Sequence, residues 1–161
     1  MPITLQYVND GSFEDPVIEY FSHGWPTHVD VVCTDRFPAG YLLGARLSGG
    51  VSIRKPDYRE FKRVARVTLP TTFDQDAKFW EFLKDQLGKP YDWIGVADFA
   101  VPFIPDRNWR DESRWFCSDL IERAKEVCGL YPHPLAAPAN LLTPSDSLNL
   151  SSAFAEVHYV H

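Results

Sequence analysis

Segments with strand-like composition come first in this chain, and the clearest helical patterns follow them. The strand-like segments are short, rich in β-branched residues and bounded by Gly, Pro, Asn or Asp turn signals. Two of them, separated by a stretch that contains a proline and a glycine, resemble a hairpin. The pattern predicts an α+β protein whose antiparallel sheet has about four to six strands packed against helices. The expected strands are Thr4–Val8, His28–Cys33, Tyr41–Ala45, Val51–Arg54, Arg63–Leu69 and a last one around Glu156–Val160.

Two helices are indicated by apolar residues at helical spacing. The first follows the cap residue Thr72 and ends near Gln86 or Leu87, before a glycine and a proline. The second extends from about Cys117 to Cys128. We expect its apolar residues to share a buried face and its charged residues to face water. The apolar set is Leu120, Ile121, Ala124 and Val127, and the charged set is Asp119, Glu122, Arg123 and Lys125.

The rest of the chain has weaker patterns. A short helix is predicted from about Asp15 to Phe21. The segment from Tyr91 to Arg114 is aromatic and contains prolines, which favours an ordered loop or a short helix. The tail from Pro132 to Ser152 is rich in Pro, Ala, Ser and Asn, so we expect a surface loop there.

Composition restricts the class of protein. With 161 residues, of which 45% are hydrophobic and 24% charged, the chain has enough apolar surface for one core, which indicates a single domain over residues 1–161. The net charge of −6 opposes binding to nucleic acid. Three cysteines make no disulfide framework, and neither a CxxC pair nor an HExxH motif is present, so we expect no metal and no cofactor.

No segment approaches the roughly 20 uninterrupted apolar residues of a membrane-spanning helix. The first residues also lack a basic segment followed by an apolar one. We therefore expect no membrane insertion, no export signal and a cytoplasmic location as synthesised. The sequence carries no signal for an oligomeric state.

One cysteine stands where a helix begins. The amphipathic period starts at or just after Cys117, and a helix N-terminus lowers the pKa of a thiol from its free value of about 8.5. A nucleophilic thiol needs a base, and His28 is the best placed histidine because it begins an otherwise apolar strand. His23, in a loop, is the weaker alternative. Both Cys117 and His28 also fit ordinary structural roles, as a small core residue and a hydrogen-bonded sheet histidine.

Three short motifs resemble, in their order, those of a known family. They are Thr27–Val32 (THVDVV), Gly88–Trp93 (GKPYDW) and Trp115–Ile121 (WFCSDLI). Together they are similar to the circularly permuted, YiiX/YebB-like branch of the NlpC/P60 cysteine peptidase superfamily, which has a papain-like core. In the unpermuted enzymes the histidine strand follows the cysteine helix, whereas here it comes first. The resemblance covers nearly the whole chain.

The resemblance implies roles for individual residues. Cys117 matches the family nucleophile, and His28 matches the base that accepts its proton and later protonates the leaving group. Tyr91 matches a tyrosine that lines the cleft, and Trp93 and Ser118 are assigned with it to substrate binding. Backbone N–H groups at the start of the helix would stabilise the oxyanion.

The third residue of the family site has no direct match. The family places a polar residue on the strand after the histidine strand, where it orients the imidazole. The matching stretch Tyr41–Ser48 contains no carboxylate, amide or imidazole. Asp30 lies two residues from His28 and points to the same face, so it is a candidate for this role. The alternatives are a solvated Asp30, a backbone carbonyl that holds the ring, or an impaired site.

The first functional interpretation is a thiol hydrolase, a peptidase or amidase, that cleaves an amide bond through an acyl-enzyme on Cys117. By resemblance, its substrate is a cell-wall peptide. Because we expect no export signal, a phage tail, a holin or a secretion apparatus would have to deliver the protein. The second interpretation is a lipid acyl hydrolase or acyltransferase of the permuted lecithin-retinol type. The third is a papain-like binding or structural module.

Overall fold

Six strands form one antiparallel sheet in the computed structural model, which describes residues 2–9, 11, 24–92 and 112–160. The sheet confirms the predicted α+β class and the expected number of strands. The strands are β1 (Ile3–Asn9), β2 (His28–Val32), β3 (Leu42–Arg46), β4 (Gly50–Arg54), β5 (Arg63–Leu69) and β6 (Val157–Val160). Their order across the sheet is β4-β3-β2-β1-β5-β6, so the first strand in sequence lies inside the sheet.

One face of the sheet carries the hydrophobic core. The register pairs Tyr7 of β1 with Val29 of β2, and both side chains belong, with Val31, to one buried cluster. Successive side chains of a strand point to opposite faces. His28 and Asp30 therefore leave β2 on the face away from this cluster.

Within the described residues, three α-helices accompany the sheet. They are α1 (Phe73–Gln86), α2 (Cys117–Val127) and α3 (Pro144–Ser152). Helix α2 packs against β2, β3 and α1, on the core face of the sheet. The predicted extents of α1 and α2 are confirmed, including Thr72 as the cap of α1, where its hydroxyl accepts from the N–H of Gln75.

Helix α3 corrects the expected surface loop over residues 132–152. Thr143 caps the helix, since its hydroxyl accepts from the N–H of Asp146 while the Asp146 carboxylate accepts from the N–H of Thr143. Pro144 follows at the first helical position. This arrangement is a recognised helix start, and it outweighs the loop-like composition of the segment.

The charged side of α2 is not the solvated face that we expected. Glu122 and Lys125 are fully buried, whereas Val127 is 41% exposed. Nζ of Lys125 lies 2.5 Å from Oε1 of Glu122 and donates to Oγ of Ser151 at 3.0 Å. The hydroxyl of Ser147 donates to the same carboxylate oxygen. Helix α3 thus covers the pair and supplies the hydrogen-bond partners that buried charges require.

Candidate active site

The N-terminus of α2 places Cys117 against the sheet. Helices α1 and α3 begin with capping boxes, whereas α2 follows Phe116, whose side chain has no hydrogen-bond acceptor. The Cys117 side chain is 1% exposed, and its thiol contacts the backbone of Val29 and of Ser118. The Phe116 side chain therefore caps none of the N–H groups in the first turn of α2.

Burial raises the pKa of the Cys117 thiol to about 12. The backbone contacts with Val29 and Ser118 and the positive charge of Arg46 act in the opposite direction without outweighing it. The expectation that the helix N-terminus lowers this pKa is therefore wrong, because a buried thiolate loses more solvation than the helix end returns. Cys117 is a protonated thiol at neutral pH.

Strand β2 brings His28 and Asp30 together on one face of the sheet. Nε2 of His28 lies 2.8 Å from Oδ1 of Asp30. The His28 residue is 6% exposed, and Asp30 is fully buried. Asp30 is thus not the solvated strand residue that the sequence left as an alternative.

The protonation states of this pair follow from its surroundings. Burial and the charge of Arg46 lower the pKa of His28. Burial opposes ionisation of Asp30, but the electrostatic attraction of His28, the hydrogen bond with it and the charges of Arg46 and Arg54 outweigh burial and lower the pKa of Asp30. An ionised carboxylate only accepts hydrogen bonds, so Nε2 of His28 carries the ring proton. Nδ1 is then the ring nitrogen that can accept a proton.

Gly44 in β3 makes room for the Asp30 carboxylate. A Cβ atom at position 44 would lie 2.1 Å from Oδ1 of Asp30, far inside van der Waals contact. The Asp30 carboxylate therefore fills the space that a side chain at position 44 would occupy. This explains how a carboxylate stands beside His28 although the strand after β2 offers no polar side chain between Leu42 and Ala45.

The hydrogen-bonded ladder between β2 and β3 is short. Their ladder pairs Val31 with Leu43 and Val32 with Leu42, and in the described chain it does not extend to residues 28–30. The thiol of Cys117 contacts Val29, which lies beyond the end of this ladder. No hydrogen bond within residues 24–92 and 112–160 joins Cys117 to the His28 ring. The thiol and the imidazole approach the β2 backbone from its two faces.

The aromatic ring of Tyr91 lies beside the start of α2. It packs edge-on against Phe116 with 5.9 Å between ring centroids, and its backbone forms a bridge with Trp115. Trp115 is 1% exposed and donates through Nε1 to Oε1 of Gln86, so it packs in the core. Tyr91 thus contacts Phe116, the residue that precedes Cys117.

Ser118 and Trp93 complete the set of predicted site residues. The hydroxyl of Ser118 donates to the carbonyl of Leu142 at 2.5 Å, which ties α2 to the segment before α3. Trp93 lies outside the described residues, as do His23 and the predicted helix over Asp15–Phe21.

Arg46 is a residue of the site that the sequence pattern did not single out. It ends β3, and its positive charge lowers the pKa of Cys117, His28 and Asp30 alike. A charged residue at the end of an apolar strand is typical of a solvated position, so the sequence alone gives no signal for this role.

Comparisons with known proteins support the fold. No protein-family model matches the chain, and no curated protein matches it. The chain is similar to a solved structure described as the metalloprotein yiiX from Escherichia coli O157:H7, with a TM-score of 0.66 and 14% sequence identity. The match covers 100% of this chain and 96% of that chain. The chain therefore has a YiiX-like α+β fold.

The structure bears on metal binding and membrane insertion only within its described residues. There, no three His, Cys, Asp or Glu side chains are grouped as they would be around a metal ion. None of the helices described is long and apolar enough to cross a membrane.

Proposed function

We propose that this protein is a cysteine hydrolase of the permuted NlpC/P60 type, a single domain with Cys117 as nucleophile and His28 as base. The observation that carries the proposal is the contact of the Cys117 thiol with the backbone of Val29. Val29 stands between His28 and Asp30, so the thiol at the helix N-terminus lies against the part of β2 that carries the oriented imidazole.

Cys117 and His28 together can carry the proton transfers of amide hydrolysis. Sγ of Cys117 attacks the carbonyl carbon of the substrate as the thiol proton passes to Nδ1 of His28. The C–N bond then breaks, and His28 returns the proton to the leaving amine. Water, deprotonated by His28, hydrolyses the thioester and restores the thiol. Because the pKa of the thiol is raised and that of His28 is lowered, proton transfer accompanies the attack and does not precede it.

Substrate binding has to bring the two groups into contact. Sulfur and imidazole are not hydrogen-bonded in the described structure, so a side chain has to move before the thiol proton can reach Nδ1 of His28. The first-turn N–H groups of α2 are then close enough to receive the oxyanion, and each such donor typically contributes about 3 kcal/mol to transition-state stabilisation.

The substrate that we propose is the amide bond of a cell-wall peptide, for which the resemblance is the support. Delivery by a phage tail or a secretion apparatus would bring the protein to it. The lipid acyl hydrolase remains the second candidate, since the same nucleophile and base also cleave esters. Asp30 beside His28 is a candidate for the third residue whose absence favoured a non-catalytic module, so that module is the weaker alternative.

The test offers both substrate classes to the same protein. Purified protein is incubated with muropeptides and, separately, with phospholipid vesicles, and products and the intact protein mass are followed by mass spectrometry. We expect new amine termini from muropeptides and an acyl adduct on Cys117. Cys117→Ala should abolish both signals, and His28→Ala should lower the rate by about 10²–10⁴-fold.

Cys128→Ala is the matched control, because Cys128 is a free, buried thiol at the other end of the same helix. It should leave the rate unchanged. Products from vesicles alone would replace the peptidase assignment with the lipid one. Turnover that survives Cys117→Ala would refute both enzyme assignments.

A further inference from the structure

The second oxygen of the Asp30 carboxylate has its own partner. The hydroxyl of Tyr58 donates to Oδ2 of Asp30 at 3.1 Å, while Oδ1 faces Nε2 of His28. Burial, and the negative charge of Asp30, raise the pKa of Tyr58, so the phenol stays protonated and remains a donor. A fully buried carboxylate needs donors on both oxygens, and these two side chains provide them.

The Tyr58 ring is itself held in place. Tyr58 lies in the turn after β4, where its N–H donates to the carbonyl of Lys55. The guanidinium of Arg46 lies 5.0 Å from the ring centroid and that of Arg54 lies 5.8 Å from it. Phe61 packs edge-on against the same ring at 5.5 Å. These contacts fix the direction in which the phenol hydroxyl points.

Arg54 in turn anchors the neighbouring hairpin. Its Nη atoms donate to the backbone carbonyls of Gly44 at 3.0 Å and Gly50 at 2.8 Å, in β3 and β4. The ring of Tyr58 thus rests on a side chain that is bound to the strand in which Gly44 makes room for Asp30. The Asp30 carboxylate is enclosed by three elements: its own strand, the strand of Gly44 and the turn of Tyr58.

We infer that Tyr58 is a positioning residue of the site, which holds the Asp30 carboxylate by Oδ2 so that Oδ1 stays on Nε2 of His28. The inference rests on the proposed role of His28 as base. Tyr58 lies outside the three sequence motifs. Through Asp30, the turn after β4 thus helps to orient the His28 imidazole. Tyr58 acts through Asp30 and does not contact the reacting atoms.

The test measures proton exchange and titration of the His28 imidazole itself. In NMR spectra of ¹⁵N-labelled protein, the signal of the Nε2–H proton of His28 is assigned by its absence in His28→Gln. The rate at which this proton exchanges with water and the titration midpoint of the His28 ring are then measured. In Tyr58→Phe we expect exchange at least tenfold faster, because the carboxylate loses one of its two donors. The midpoint should fall, since Asp30 raises the pKa of His28 and would do so less when it is free to turn.

Two comparisons separate positioning from general stability. Tyr159→Phe removes a tyrosine hydroxyl from the exposed edge strand β6 and should change neither measurement. In the background of Asp30→Asn, Tyr58→Phe should have no further effect on His28, because its influence passes through the carboxylate. If Tyr58→Phe leaves exchange and midpoint unchanged, raises the midpoint, or adds its full effect to Asp30→Asn, the inference is overturned.

Failure of the role of Tyr58 and failure of the proposed function give different results. A shifted His28 titration in a protein that cleaves neither muropeptides nor lipids would keep Tyr58 as a positioning residue and refute the hydrolase. Cleavage with an unshifted titration in Tyr58→Phe would keep the hydrolase and refute the role of Tyr58. Tyr58→Leu also removes the ring and shows what the stacking on Arg46 and Arg54 adds. If Tyr58→Leu changes the exchange rate and the midpoint of His28 while Tyr58→Phe keeps the wild-type values, the inference is overturned.

Discussion

Replacing Gly44 by alanine should break the hydrogen bond between His28 and Asp30 while leaving both residues in the chain. The added Cβ would stand 2.1 Å from Oδ1 of Asp30 and 3.2 Å from the carbonyl oxygen of Val29. To reach ordinary contact, the carboxylate must move by about 1.3 Å. Because Oδ1 is now 2.8 Å from Nε2 of His28, such a movement takes it beyond hydrogen-bond range.

The size of the effect follows from this geometry. A hydrogen bond to a charged, buried group contributes about 1.5–3 kcal/mol, and we expect Gly44→Ala to lower the free energy of unfolding by a similar amount. An alanine in a strand would otherwise stabilise the chain relative to glycine by about 0.5–1 kcal/mol. Gly44 does not have a positive φ, so the loss comes from the collision with Asp30 and not from backbone strain.

The assay combines urea unfolding with an NMR titration of His28. Gly129→Ala is the control, because Gly129 follows α2, has a φ of 71° and has open space around its Cβ position. That variant should lose about 1–2 kcal/mol from backbone strain with the His28 titration unchanged. Gly44→Ala should lose stability and also lower the His28 midpoint. A stable Gly44→Ala protein with a wild-type midpoint would show that Asp30 does not occupy this space.

Three further predictions follow from buried groups. Cys117 should react with iodoacetamide at pH 6.5 only after unfolding in urea, since burial raises the pKa of its thiol to about 12; rapid site-resolved alkylation of the folded protein would contradict this. Because the pKa of His28 is lowered, the unfolded chain binds a proton below pH 6.5 more readily than the folded one, so stability should fall there by up to about 1.4 kcal/mol per pH unit. His28→Gln should flatten that slope in urea titrations, and an unchanged slope would assign it to other groups. Lys125→Met leaves Glu122 buried without its cation and should cost about 3–5 kcal/mol in the same assay, while the double variant Glu122→Gln/Lys125→Met should recover part of the loss. Equal stability of Lys125→Met and wild type would contradict this prediction.

Local patterns sufficed for most of the fold. Strand β5 and helix α1 lie where alternation and the Thr72 cap predicted them, because both signals act within a few residues. Helix α3 also carried a local signal, the cap at Thr143, which the composition of its surroundings concealed. The buried pair Glu122–Lys125 could not be predicted from α2 alone. Its partners include two hydroxyls of α3, and only the packing of the two helices brings these together with the pair.

In the site, too, local features could be predicted from the sequence and contacts between distant segments could not. A helix beginning at Cys117 and a strand beginning at His28 are local features, and the sequence located both. The pKa of the thiol depends instead on how deeply the helix end is buried, which no local pattern encodes. The space for the Asp30 carboxylate comes from Gly44 in β3 and its second hydrogen-bond donor from the turn after β4, at sequence distances that periodicity does not reach.

The position of Asp30 also explains why β3 tolerates a glycine there. A glycine inside a strand loses packing and weakens the strand, so its presence needs a compensating contact. Here the carboxylate of the neighbouring strand occupies the space over Gly44, and its two oxygens are bound by His28 and Tyr58. The two positions are complementary: a side chain at 44 excludes the carboxylate at 30, and a small residue at 30 would leave that space empty. We therefore expect that a polar side chain can orient the imidazole from either strand, but not from both at once.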